Sequence, residues 1–237
     1  MAAARDVAPM TAFLYIPQEL MINDETIKIR APQIWEVFEK YPQVFKRHYD
    51  AEYLRIILYV WYEQEKGTES FWYPYFQIVN YSDLPMLWEP SEIEQLQDRV
   101  LESQILTYRR EFELEWEEFY TCLKENGLDW VIPGISDPGN ANLLRLRYIR
   151  AFNTVVTRCF GWGIPCTTLI PFADCINHHN VDSSYDVIKA EWEPISLKEK
   201  LERFPEKDDA DEEATPSMIK LNINPWLLDE QNPDEVN

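Results

Sequence analysis

The sequence predicts an α+β fold, in which a long helical stretch is set between short β-prone segments. Three observations lead there. Apolar residues recur at helical spacing from about residue 34 to residue 126. Short β-prone runs at 11–16 and 168–170 each stop at a proline. Glycine is scarce, with 6 residues in 237, which argues against Gly-rich nucleotide loops and Gly/Ser linkers.

Taken in order, Thr11-Ala-Phe-Leu-Tyr-Ile16 reads as a strand ending before Pro17. Asn23 and Asp24 are cap candidates for a short helix from Glu25. Tyr53, Leu54, Ile57, Leu58 and Trp61 repeat at helical spacing, and that run ends near Gly67. Ser91 and Glu94 make a capping-box pattern behind Pro90. Ile93, Leu96, Val100, Leu106, Phe112, Trp116, Phe119 and Leu123 then predict one or two long helices with a packed aromatic core, closed by Asn126-Gly127. A helix over 144–157, a turn at Gly161-Trp-Gly163, a short strand at 168–171 and a further strand over 185–192 complete the ordered part. The predicted segments are 1–33, 34–140, 141–192 and an acidic, partly disordered 193–237.

Charge narrows the partners. The formal net charge is -20, from 42 acidic and 22 basic residues. A surface this acidic repels phosphate backbones, so nucleic acid and anionic membranes are disfavoured, and a basic protein surface is favoured. Residues 191–237 hold 14 acidic and 5 basic residues and read as a solvated run. No apolar run approaches the length of a membrane span. The four cysteines make no C-x-x-C pair, which suits a reducing setting, cytoplasmic or nuclear.

The densest polar cluster in apolar surroundings is Asp174-Cys-Ile-Asn177-His178-His179-Asn180. Zinc ligation by Cys166, Cys175, His178 and His179 is disfavoured, because adjacent histidines rarely both face one metal and no second pair follows at a finger-like interval. A Cys-His nucleophile pair is no better placed, since His48 lies in helical sequence.

Four stretches in order give a more specific pointer. Val155-Val-Thr157-Arg158-Cys-Phe160, followed by Leu169-Ile-Pro171-Phe-Ala173-Asp174-Cys-Ile-Asn177-His178, resembles the central signature of SET-domain protein methyltransferases. The likeness is to the subgroup that includes Rubisco large-subunit methyltransferase and the actin-histidine methyltransferase. Ser70-Phe-Trp72-Tyr-Pro74-Tyr75 is similar to that subgroup's S-x-W-x-P-Y element, and residues 4–17 resemble its second strand. The resemblance implies a partial SET β-fold with a large helical insertion and an acidic C-terminal segment.

It also implies S-adenosylmethionine as cofactor, with Asn177 and His178 on its adenine and Thr157 and Arg158 shaping the cofactor pocket. Arg158 suits either the cofactor carboxylate or a purely structural role. Glu25 is a further candidate for lining that pocket. In the histidine-methylating relative, an Asn and a Trp stand where this chain has Phe160 and Ala173. An apolar ring and a small residue suit a straight alkylamine better than an imidazole that needs a polar partner, so the implied acceptor is a lysine on a protein substrate.

The family's G-x-G turn and its C-terminal tyrosine strand have no match here. The expectation is therefore a chain truncated at both ends, with its catalytic residue unknown and its activity alone in question. A non-catalytic SET-like interaction module is the competing expectation.

Overall fold

A computed structural model of the protein describes residues 13–46, 51–161 and 166–176, together with the backbone of two short strands at 184–185 and 219–220. The chain divides into two compact units: Ile22–Cys159, and Met1–Met21 with Phe160–Asn237. Among the described residues the architecture is helix-rich, with only short strands.

Local signals start and stop the helices of the first unit. Helix α1 (Asp24–Arg30) is capped by Asn23, whose Oδ1 accepts from the Thr26 amide at 3.0 Å while Thr26 Oγ1 accepts from the Asn23 amide at 3.0 Å. Two of the unpaired first-turn donors are thereby satisfied reciprocally. Pro32 and Pro42 each occupy a first helical turn, where a missing N–H costs nothing, and so separate α2 (Pro32–Lys40) from α3 (Pro42–Phe45). Helix α4 (Ala51–Glu65) is followed by Gly67 at φ +56, a conformation that suits glycine. Helix α5 (Tyr73–Phe76) comes next.

The capping box ahead of α6 (Pro90–Glu94) sits two residues earlier than the sequence pattern implies: it pairs Glu89 with Glu92, not Ser91 with Glu94. Pro90 takes the first helical position, which makes the residue before it the cap. One long helix, α7 (Arg99–Glu125), opens on Asp98, and Gly127 at φ +59 follows it. Helix α8 (Ala141–Arg158) ends the unit.

Helix α4 is the centre. Every residue from 56 to 61 is buried, so this stretch of the helix is enclosed on all sides, and α4 packs on α8, α1, α3 and α5. Trp61 meets Tyr148 of α8 at 5.9 Å between centroids, and Trp116 and Phe119 of α7 at 6.3 and 6.5 Å. The predicted aromatic core is therefore present, though Val100 and Leu106 are exposed. Arg55 ties three helices: it forks onto Asp24 through Nε at 2.9 Å and Nη2 at 2.5 Å, and Nη1 donates to the Phe45 carbonyl at 2.8 Å.

Two buried tyrosines make this unit sensitive to alkali. Burial, with the Glu63 carboxylate adding to it, pushes the Tyr59 hydroxyl up to about 12. Burial also holds Tyr148 well above its ordinary value, with Glu115 adding to the effect. A raised value favours the protonated fold, so the contribution is complete below about pH 10 and is lost as pH climbs toward 12. For Tyr59 the loss amounts to roughly 2–3 kcal/mol. Melting temperature is expected to fall steeply between pH 10 and 11.5. Tyr59→Phe should lower the neutral-pH value, because Trp72 Nε1 loses its acceptor at 3.3 Å, but flatten the alkaline fall. An unchanged slope in that variant would count against this origin.

The second unit departs from expectation at its start. The described part of the predicted first strand, residues 13–16, is not a strand; Pro17 leads instead into a 3-10 turn, Gln18–Leu20. A β-prone run becomes a strand only where a second strand takes up its backbone groups, and none does so here among the described residues. Strand β1 (Cys159–Phe160) and strand β2 (Thr168–Leu169) make a two-stranded sheet. Strand β3 (Ser184–Tyr185) pairs antiparallel with β4 (Ile219–Lys220), Ser184 opposite Lys220 and Tyr185 opposite Ile219. Of the strand predicted over 185–192, only its first residue is described as strand. The turn at 161–163 and the acidic stretch lie almost wholly outside the described residues.

Candidate functional site

The last turn of α8 carries Thr157 and Arg158, and both donate to main-chain carbonyls of their own unit. Thr157 Oγ1 donates to the Asn153 carbonyl one turn back at 2.7 Å, a bond that occupies its only proton. Arg158 Nη2 donates to the Asn80 carbonyl at 3.0 Å. Its charge also stands at the helix C-terminus, where a cation complements the partial negative charge of the end carbonyls.

Asn80 belongs to a loop that α8 holds a second time. Buried Asn153 accepts from the Ser82 amide at 3.0 Å and donates Nδ2 to the Ser82 carbonyl at 2.6 Å. Asn153 thus acts as a surrogate strand edge for the loop, a role that sequence reasoning missed. The available signal was a poor helix former inside a helical apolar pattern.

The S-x-W-x-P-Y element belongs to the helical unit and is woven into its core. Ser70 Oγ donates to Glu63 Oε2 at 2.6 Å and accepts from the Trp72 amide at 3.0 Å. Glu63, buried, also receives Lys66 Nζ at 2.5 Å. Ser70, Trp72 and Tyr75 are all buried, and the exposed Phe71 lies under the Arg30 guanidinium at 4.3 Å. These contacts explain the serine and tryptophan by packing and polar satisfaction.

Glu25, in the first turn of α1, is exposed. Glu25, Thr157 and Arg158 thus share the helical unit, where α1 packs on α2 and α4 while α8 packs on α4.

Phe160 and Ala173 belong to the second unit. Phe160 is half-buried in β1, and Ala173 is buried at the start of a 3-10 turn, Ala173–Cys175. The turn is knitted by the Asp174 amide to the Ile170 carbonyl (3.1 Å), Cys175 to Phe172 (3.2 Å) and Ile176 to Ala173 (3.1 Å). Asn177 and His178 come next in the chain and lie outside the described residues, as do His179 and Asn180.

Among the described residues, no group of three His, Cys, Asp or Glu side chains is arranged to hold a metal ion. None of the four cysteines is paired in a disulfide. Burial, then Glu125, pushes the Cys122 thiol up to about 11, which keeps it protonated and unreactive near neutral pH. Cys122 lines an open cleft of about 450 Å³ with Glu117, Glu118 and Glu125, and none of the predicted site residues borders it. Among the described residues no helix is long and apolar enough to cross a membrane.

No protein-family model matches the chain, and a search of curated proteins returns no match.

Proposed function

We propose that the protein is an S-adenosylmethionine-dependent protein-lysine methyltransferase of SET type, acting on a non-histone protein in a cytoplasmic or nuclear setting. The observation that carries the reading is the order of four motifs along one chain, ending in Asp174-Cys-Ile-Asn177-His178. Asn177 and His178 are the residues proposed to hydrogen-bond the adenine. Phe160 and Ala173, in one unit, are proposed to border an acceptor channel suited to an alkylamine.

The donor chemistry fits a nucleoside ligand: an amide offers both a donor and an acceptor to an adenine edge, and a neutral imidazole does the same. When bound, the cofactor supplies an electrophilic methyl group on sulfur. The chain's own part is to hold the acceptor nitrogen in line, neutral and out of water, and an apolar ring beside a small side chain serves that end. Thr157 and Arg158 are proposed to shape the cofactor pocket from the last turn of α8, where each also donates to a carbonyl of the chain.

Titration calorimetry with S-adenosylmethionine tests the first half. Saturable binding is expected, with Asn177→Ala and His178→Ala each weakening it tenfold or more, the cost of one lost hydrogen bond to a buried partner. Transfer of labelled methyl to a lysine peptide, and not to the matching histidine peptide, tests the second half. Absence of cofactor binding by the unaltered chain would overturn the proposal. The net charge of -20 also suits a second reading, a SET-like interaction module without catalysis that binds a basic surface. That reading predicts capture of a basic protein whose affinity ignores the cofactor.

A further inference from the structure

Phe172 stands out for its backbone. Its φ is +73° and its ψ -42°, in the γ-turn region that a bulky side chain rarely occupies. The other non-glycine residue with positive φ is Gln97, an exposed residue just ahead of α7, where such a turn is ordinary.

At Phe172 the strain turns a large ring outward. Ile170 and Pro171 before it and Ala173 after it are buried, whereas Phe172 is 44 % exposed. A phenylalanine with ordinary dihedrals would be free to follow its neighbours into the interior. The conformation is over-determined by the turn: Phe172 itself accepts from Cys175, while Ile170 on one side accepts from Asp174. Strain fixed in this way concentrates where a side chain meets a ligand. An outward ring leaves apolar area in water and so gains no burial energy from that exposed part.

We propose that Phe172 is a specificity-determining residue, held outward to pack on an apolar side chain beside the acceptor lysine of the protein substrate. The identity of the partner rests on the methyltransferase reading; the outward, strained ring does not. Ile176, 42 % exposed, closes the same turn and adds apolar surface at its other end. The preferred substrate segment is therefore a lysine with a leucine-like neighbour, not one with a small polar neighbour.

The test uses the full chain and two variants, Phe172→Gly and Phe172→Ala. Glycine adopts positive φ without strain and alanine does not. The glycine variant should thus melt about 2–4 °C above the alanine variant, the reverse of their usual order. An alanine variant melting at or above the glycine one overturns the strained geometry.

Fluorescence polarisation with a labelled Leu-Lys peptide and its Ser-Lys counterpart reads the specificity. The unaltered chain should prefer the leucine peptide about tenfold, and both variants should lose that preference while still binding S-adenosylmethionine as the parent does. Equal binding of the two peptides by the parent, or a preference kept by both variants, overturns the assignment of Phe172. Calorimetry that shows no cofactor binding by the parent overturns the methyltransferase reading instead, and the peptide preference then decides the role of Phe172 alone.

Discussion

Replacing Trp61 with alanine is expected to lower the unfolding free energy by about 3–5 kcal/mol. Trp61 has no accessible surface, and its ring meets those of Trp116, Phe119 and Tyr148 from two other helices. The substitution removes apolar burial and leaves a void that three large rings cannot fill without leaving their rotamers. It also removes the indole N–H that donates to Glu65 Oε1 at 2.9 Å.

Such a loss is a large share of the 5–15 kcal/mol that holds most folds together. Urea unfolding followed by far-ultraviolet dichroism measures it as a lowered midpoint. Trp61→Phe, which keeps a ring but not the N–H, should cost visibly less. If both variants unfold within about 1 kcal/mol of the parent, the α4–α7–α8 aromatic contact is not the core of the unit.

Ser70→Ala carries the second-largest expected effect, about 2–4 kcal/mol, although it deletes only one oxygen. That oxygen donates to Glu63 and accepts from the Trp72 amide. Its loss leaves a buried N–H without its acceptor and a buried carboxylate with Lys66 as its remaining cationic partner. Both penalties are desolvation costs that water does not relieve at a site this enclosed. A double-mutant cycle with Glu63→Gln checks the mechanism. The two residues act as one network, so their effects should be non-additive by 0.5 kcal/mol or more. Additive effects would falsify the network and return Ser70 to an ordinary turn residue.

The same element shows how much of the site was legible in sequence. Ser70, Trp72 and Tyr75 stand out as a pattern, and the pattern alone does not say whether they serve a ligand or the core. Burial and the partners Glu63 and Tyr59 decide it for Ser70 and Trp72. Arg158 is similar. Its place at a helix end is readable from the apolar period, yet its partner Asn80 lies 78 residues away. Phe172 is the reverse case. Nothing in its residue type announces a positive φ, because glycine is the ordinary occupant of such a backbone.

The sequence by itself determined what depends on near neighbours. The helix start at Asn23, the stops near Gly67 and Gly127, and the apolar repeats of α4, α7 and α8 follow from bonds and contacts made within a few residues. Tertiary structure alone decided the rest. The first β-prone run, over its described residues 13–16, stays outside any strand, since strand formation needs a partner that local sequence does not provide. The packing unit runs from Ile22 to Cys159, taking in α1 and α8 on either side of the expected 34–140 insertion, because burial of α4 draws on helices distant in the chain. Where a polar side chain spends its hydrogen bonds is settled by which carbonyl the fold brings within 3 Å, and that is a property of the assembled molecule.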